Sequence, residues 1–291
     1  MLIPQVFLEL TNKCTANCLT CLNRIMRRER GYMDFGLFKK CIDEIAEGRL
    51  AKKVHFYGDG EPYLCPSHMA YFRYGIEKLS PLGIRTVIIT NGSVITEIPD
   101  GIADFIISFN AGRKETYERI TGLDFDRTVA NIYRLWREGQ FQRAQNVEIH
   151  MLVFEGNKDE MGDIIGLFGE LGIPIRFSFK YDNQCGKIRD ETLPAYRRVE
   201  REPCHYVEHC LNITWNGQVS LCPHDFDNEV IYGDANREKL REIWFSPLRL
   251  EILRAHREGR FTGLCRDCNY NTPIKGKVIY WRHGRWERAY G

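Results

Sequence analysis

The sequence predicts an α/β protein in which six short strands alternate with helices, followed by a small cysteine-rich appendage. Three observations carry that expectation. Apolar runs of strand length recur between stretches with helical periodicity through the first two thirds of the chain. Glycine and asparagine turns close several of those runs. Five of the eleven cysteines fall beyond Pro203, where the periodicity has broken down.

The first strand is Val6-Phe7-Leu8-Glu9-Leu10, and close behind it stands Cys14-Thr-Ala-Asn-Cys18-Leu-Thr-Cys21. Three thiolates within eight residues can wrap one inorganic core. A structural zinc site takes four protein ligands, whereas a 4Fe-4S cubane held by three cysteines leaves one iron open to a small molecule. A zinc knuckle or a few buried thiols is the plainer alternative. Asp34 then caps a helix whose apolar positions Phe35, Phe38, Cys41, Ile42 and Ile45 recur at three- and four-residue spacing, which makes Cys41 a packing residue. Arg24, Arg27, Arg28 and Arg30, between the triplet and that helix, read as a solvated face.

The second strand, Lys53 to Tyr57, runs into Gly58-Asp59-Gly60-Glu61-Pro62. These glycines let backbone approach a ligand closely, and the carboxylate can receive an ammonium group. The loop lacks the G-K-[ST] ending of a phosphate loop. A helix from Ser67 to Leu79, a strand Arg85 to Thr90 closed by Asn91-Gly92, a strand Phe105 to Phe109 and a helix Phe125 to Glu138 continue the pattern. Val147 to Phe154 is the fifth strand. Asn157 with Glu160 forms a capping box for a helix Lys158 to Leu171, and Ile175 to Lys180 is the sixth strand. Ligand groups in such an array belong on the loops at the strands' C-terminal ends. Glu148, His150 and Leu152 share one strand face, and Arg176, Ser178 and Lys180 share another, which points to a polar lumen.

The boundary of the appendage is expected near Pro203, giving domains of 1–200 and 201–291. Leu211 to Trp215 and Gln218 to Leu221 form a hairpin about Asn216-Gly217 that leads into Cys222. Leu240 to Trp244 is a short helix, and Ser246-Pro247 starts another that runs through Arg257. Cys265-Arg-Asp-Cys268 follows. Four thiolates that include a C-x2-C make either a second cluster or a zinc ribbon. The tail from Lys275 to Tyr290 alternates aromatic and basic residues about His283-Gly284, as a final hairpin packed on the barrel or as a platform for RNA bases.

The triplet, its preceding strand and the Gly60-Glu61 pair resemble the signature of the radical S-adenosylmethionine (SAM) superfamily. The later cysteines resemble its auxiliary-cluster domain, called Twitch, a shortened SPASM. The resemblance implies a partial (β/α)6 barrel in which Cys14, Cys18 and Cys21 hold a 4Fe-4S cluster whose open iron binds SAM. One electron then gives a 5'-deoxyadenosyl radical that abstracts hydrogen from the substrate. It implies that Gly58, Gly60, Glu61, Asn91, Ser108, Asn110 and His150 surround SAM, that Arg176 and Lys180 face SAM or substrate, and that Cys204, Cys222, Cys265 and Cys268 hold a second 4Fe-4S cluster. Family members usually have an aromatic residue before the third cysteine, where this chain has Thr20.

Length, the single appended cluster and ligand spacing are similar to the aminocyclitol dehydrogenases. They imply two-electron oxidation of a sugar or cyclitol alcohol, with a small molecule or peptide as substrate and a flavodoxin- or ferredoxin-type electron donor. An epimerase or peptide maturase is the alternative, with Cys185 or Cys210 as the hydrogen-donating thiol. A zinc-stabilised RNA-binding protein is another. A net charge of +2, an odd cysteine count and the lack of a secretory or membrane-spanning run argue for a cytoplasmic protein without disulfides. The same charge balance argues against nucleic acid as a partner.

Overall fold

The computed structural model describes residues 2–179, 183–188, 201–270 and 278–288. Strands β1 (Ile3–Leu8), β2 (Ala51–His55), β3 (Arg85–Thr90), β4 (Asp104–Ser108), β5 (Asn146–Leu152) and β6 (Ile175–Ser178) each pair in parallel with the next. Helices α1 (Phe35–Gly48), α2 (His68–Leu79), α3 (Lys114–Thr121), α4 (Phe125–Arg137) and α5 (Met161–Phe168) make the crossovers, except between β3 and β4, where residues 91–103 contain no helix. Asp34 caps α1 as its side chain predicts, accepting from the amides of Gly36 and Leu37 at 2.8 and 3.1 Å.

Alternation sorts the side chains. Val6, Leu8, Val54, Ile88, Phe105, Ile107, Ile149, Ile175 and Phe177 are wholly buried on the helix-covered face. The opposite face is polar and concave, since one cavity touches residues of β2 through β6. Beyond position 203 lie α6 (His205–His209), β7 (Cys210–Ile213), β8 (Gln218–Ser220), β9 (Ile231–Asp234), α7 (Leu240–Trp244), α8 (Pro247–Arg257), β10 (Val278–Arg282) and β11 (Arg285–Arg288). All eleven strands form one sheet, in the order β11-β10-β6-β5-β4-β3-β2-β1-β7-β8-β9. The appended hairpin therefore extends the barrel sheet: β7 runs parallel to β1 on one edge, and β10 runs antiparallel to β6 on the other. Trp286 packs on Phe177 with ring centroids 5.4 Å apart, as the hairpin reading of the tail predicts. No helix among the described residues is long and apolar enough to cross a membrane.

Three local expectations fail. Asn157 and Glu160 make no capping box. Asn157 accepts from the Phe154 amide and donates to the carbonyls of Asn110 and Leu152, while Glu160 accepts from the amides of Gly112 and Arg113. Residues 158–160 form a 3-10 turn, and α5 begins only at Met161. Ser246 precedes α8 without a side-chain cap. The arginines after the triplet divide: Arg24 and Arg27 are exposed, but Arg28 and Arg30 turn inward. The guanidinium of Arg30 donates to the Asn12 carbonyl at 2.6 Å and to Asn23 Oδ1 at 2.9 Å.

Arg28 is the centre of a buried ion triad. Its two terminal nitrogens reach Glu9 at 2.9 and 2.5 Å, and one also reaches Asp59 at 2.7 Å. Its Nε donates to the Phe226 carbonyl at 2.6 Å. Glu9 additionally accepts from the Trp215 amide at 2.9 Å. Burial and the Glu9 charge push the Asp59 carboxyl up, against the pull of Arg28. Removing Arg28 would leave two buried carboxyl groups unpaired. Arg28→Ala should lower unfolding free energy in urea by about 3–5 kcal/mol, whereas exposed Arg24→Ala should change it by less than about 0.5 kcal/mol.

Candidate active site

The loop after β1 brings Cys14, Cys18 and Cys21 together, each within electrostatic reach of another. The Ala16 amide donates to Cys14 Sγ and the Asn23 amide to Cys21 Sγ, both at 3.4 Å, and Asn91 Nδ2 stands 3.6 Å from Cys14 Sγ. Hydrogen bonds to cysteine sulfur are one of the levers by which proteins tune iron–sulfur centres. Burial pushes Cys14 up to about 11 and Cys21 up to about 12, and it raises Cys18 further, so each keeps its proton until a metal cation displaces it. A half-buried set of three sulfurs, two of them already accepting N–H donors, fits a cubane with one open iron.

The second glycine of the β2 loop is dictated by that site. A Cβ on Gly60 would lie 2.4 Å from the Thr11 carbonyl and 2.5 Å from that of Lys13, so only glycine lets the loop lie against the cysteine segment. Gly58 is constrained in the same way by Glu9, whose Cβ would be 2.6 Å away. Glu61 is held by protein donors at the end of the β2 loop. It is 2 % exposed, and its carboxylate accepts from Thr90 Oγ1, the Asn91 amide and the Tyr63 amide at 2.8, 2.8 and 3.3 Å. Burial pushes it up to about 7 against those donors. Its work is to tie the end of β3, and hence Asn91, to the cysteine loop.

Ser108, His150 and Arg176 are register partners across β4, β5 and β6, so they share the lumen face. Asn110 donates to Ser108 Oγ at 3.2 Å and accepts from the Leu152 amide at 2.9 Å. Burial, reinforced by Arg176, lowers His150 to about 3, and its Nε2 is a buried atom without a protein partner. Arg176 Nε lies 2.9 Å from Glu148 Oε1, and burial raises Glu148 against that pull. The neighbouring cavity, about 310 Å³, is lined by Lys53, His55, Tyr57, Asp104, Glu148 and Arg176 among others. Lys180 lies outside the described residues.

A second group of thiols forms where the segment 183–188 meets the appendage. Cys204, Cys222, Cys265 and Cys268 are within electrostatic reach of one another, and Cys185, which the sequence reading set apart as a hydrogen donor, packs directly on Cys222 and Cys268. Sequence distance concealed this, because Cys185 precedes the domain boundary. Among the described residues no three or more His, Cys, Asp or Glu side chains are set around a single metal ion. Cys210 lies on β7 opposite Gln5, within electrostatic reach of Cys204, and is pushed up to about 12 by burial. The two groups are joined by Gln184, which donates to the Thr20 carbonyl and accepts from the Leu22 amide, on either side of Cys21. Thr20 thus serves through its backbone where an aromatic side chain is usual.

With the geometry established, comparison with known proteins gives two family matches. The radical SAM superfamily model covers residues 8–168, and the SPASM iron–sulfur cluster-binding domain covers residues 204–269. The chain is 22% identical to an S-adenosyl-L-methionine-dependent 2-deoxy-scyllo-inosamine dehydrogenase from Niallia circulans, over 96% of this chain and 97% of that protein. It is 32% identical to a tungsten-containing aldehyde ferredoxin oxidoreductase cofactor-modifying protein from Pyrococcus furiosus, over 92% and 87% respectively. Among solved structures, BtrN in complex with AdoMet and 2-DOIA aligns with a TM-score of 0.65 at 20% identity, covering 92% of this chain and 94% of that one. Streptococcus suis SuiB bound to precursor peptide SuiA aligns at 0.66 and 14% identity, covering 93% and 70%.

Two outcomes follow from the site. Replacing Cys14, Cys18 and Cys21 together by alanine should remove about four irons per chain and abolish 5'-deoxyadenosine formation, while iron held by the second thiol group persists; iron analysis and chromatography of anaerobic reactions check both. The buried His55 is lowered to about 3, as is His150, so their neutral forms stabilise the fold fully above the ordinary histidine value of 6.5. That stability should fall as pH drops from 6.5 toward 3, by about 1.4 kcal/mol per pH unit for each ring. Melting curves of the apoprotein measure the slope, and His55→Gln should flatten it.

Proposed function

We propose, from the premise that the chain belongs to the radical SAM superfamily and carries a SPASM domain, that it oxidises a secondary alcohol on a small polar ring, a sugar or cyclitol. Its cofactors are SAM and two iron–sulfur clusters. When bound, SAM and the first cluster supply a radical that removes hydrogen from carbon.

Cys14, Cys18 and Cys21 would hold that first cluster as a 4Fe-4S cubane, with Asn91 beside Cys14. Cys204, Cys222, Cys265 and Cys268 would hold the second. Forming a ketone also requires removal of the hydroxyl proton and of one further electron. Glu148 is the fitting proton acceptor: its carboxyl is raised by burial, it lines the lumen cavity, and Arg176 orients it. His150, neutral at pH 7 with a free Nε2, can position the hydroxyl but is too weak a base to hold its proton. The electron has a destination in the second thiol group, tied to the first through Gln184.

The observation that carries the substrate class is the lumen itself, a cavity of about 310 Å³ with acids, bases and hydroxyl partners on several strands. A polyhydroxylated or amino-substituted ring can satisfy such a wall, and an apolar ligand would strand its buried groups. Full-length similarity to the aminocyclitol dehydrogenase supports this reading. A second reading, epimerisation, is favoured by Cys210, whose burial keeps a thiol proton in place on the lumen side of β7.

Anaerobic turnover in deuterium oxide with a panel of cyclitols and amino sugars separates the two. Oxidation should give a product lighter by two mass units and free of carbon-bound deuterium, with Cys210→Ala retaining most activity. Glu148→Gln should lower kcat by about 10²–10⁴-fold. Deuterium fixed at an inverted carbon would sink the oxidation.

A further inference from the structure

A ring in the lumen wall has no part in the oxidation described so far. His55 stands on the polar face of β2 and lines the cavity of about 310 Å³. It is 6 % exposed, and its Nδ1 is a buried atom without a hydrogen-bond partner in the protein. Leaving such an atom unpaired costs free energy, so its partner has to come from the cavity.

The neighbours of His55 decide what kind of partner fits. Its Nε2 lies 2.9 Å from Gln5 Oε1, while the Gln5 amide nitrogen donates to Nε2 of His205 on α6 at 3.1 Å. An amide oxygen can only accept, so the one proton of the neutral imidazole is on Nε2 and Nδ1 is left as a bare lone pair. Burial lowers the ring to about 3, which keeps it neutral at pH 7. Its plane is fixed as well. Phe7 stacks on it with centroids 4.2 Å apart and 5° between the planes, and Tyr57 meets it edge-on at 5.3 Å.

The carboxylates of the same wall are already engaged. Asp104 accepts from Arg85 at 2.6 and 3.2 Å and from Asn146 at 3.0 Å, and Glu148 is paired with Arg176 at 2.9 Å. Their charges are answered within the protein, whereas the His55 lone pair is not. The Lys53 ammonium lines the cavity too, so a neutral hydroxyl suits this place better than a second cation.

We propose that His55 is a specificity-determining residue: in the tautomer that Gln5 fixes, its Nδ1 accepts a hydrogen bond from one hydroxyl of the ring substrate. The assignment rests on the reading of the lumen cavity as the site of a polyhydroxylated ring. A site built to hydrogen-bond a hydroxyl rejects the analogue that lacks it, because its own buried group is then stranded. His55 therefore selects the ring by one position, apart from the carbon that reacts.

The test uses full-length protein reconstituted with iron and sulfide, with myo-inositol, scyllo-inositol and glucosamine as probes, each beside its monodeoxy derivatives. Binding is measured by calorimetry with SAM and no reductant, and turnover with SAM and dithionite. For the ring that is oxidised, loss of one particular hydroxyl should weaken binding to the unaltered protein by about tenfold or more. His55→Gln places its amide at Nε2 and leaves no acceptor at Nδ1. It should raise Kd and KM for the parent ring about tenfold with kcat changed less than about twofold, and should no longer discriminate against that one derivative. His55→Asn, whose side-chain oxygen falls near Nδ1, should recover at least half of the loss. His55→Phe keeps the stack on Phe7 without an acceptor, and it carries the test if the glutamine variant does not fold. Equal losses on every derivative, an asparagine variant no better than the glutamine one, or an unaltered protein that treats all derivatives alike would each make His55 a packing residue and overturn the proposal. Failure of the unaltered protein to bind any of the parent rings would instead refute the reading of the cavity as their site, whatever residue 55 does.

Discussion

The site depends on one buried guanidinium. Arg28 holds Glu9 and Asp59 at salt-bridge distance inside the protein, and through them it fixes the end of the first strand to the glycine-rich loop. Two carboxyl groups share this one cation, and the Asp59 amide and the Trp215 amide also donate to Glu9. The Arg27 amide donates to Asp227 at 2.7 Å, on the same side of the appendage as the carbonyl that Arg28 itself contacts. Ion pairs this deep seldom add net stability over an apolar core, but they do select one arrangement of the segments that supply them. Here those segments are the cysteine loop, the loop after β2 and the appended hairpin.

Much of this was legible in the sequence, because it is carried by short-range spacing. The six parallel strands follow from apolar runs, and the first cysteine group from eight consecutive residues. Both hairpins follow from Asn216-Gly217 and His283-Gly284 between alternating segments. The polar lumen follows from period-two alternation in β5 and β6. Helix α3 escaped notice because Lys114 to Thr121 buries only Tyr117, Ile120 and Thr121 on an otherwise polar stretch.

The remainder was illegible for a common reason: it depends on where distant segments meet. Asn157 had a plausible partner in the helix it precedes, yet its amide nitrogen went to the carbonyls of Asn110 and Leu152. Arg28 read as solvated until the appendage closed over it. Cys185 read as spare, since its neighbours Cys222 and Cys268 stand 37 and 83 positions further along the chain. Local propensity describes what a residue can do with its neighbours in sequence, and tertiary approach decides what is left unsatisfied.

The parallel pairing of β7 with β1 bears on modularity. An appendage joined by a tether and a side-chain interface is free to rock, and it can be exchanged as a cassette between scaffolds. Here the junction is a ladder of main-chain hydrogen bonds in the barrel's own sheet, with Gln5, Val6, Phe7 and Leu8 opposite Cys210 to Ile213. A barrel cut free of it would present β1 as an unpaired edge, with the adhesive character of any open strand. The two cysteine groups therefore flank one continuous sheet, and their separation is set by backbone geometry rather than by a tether.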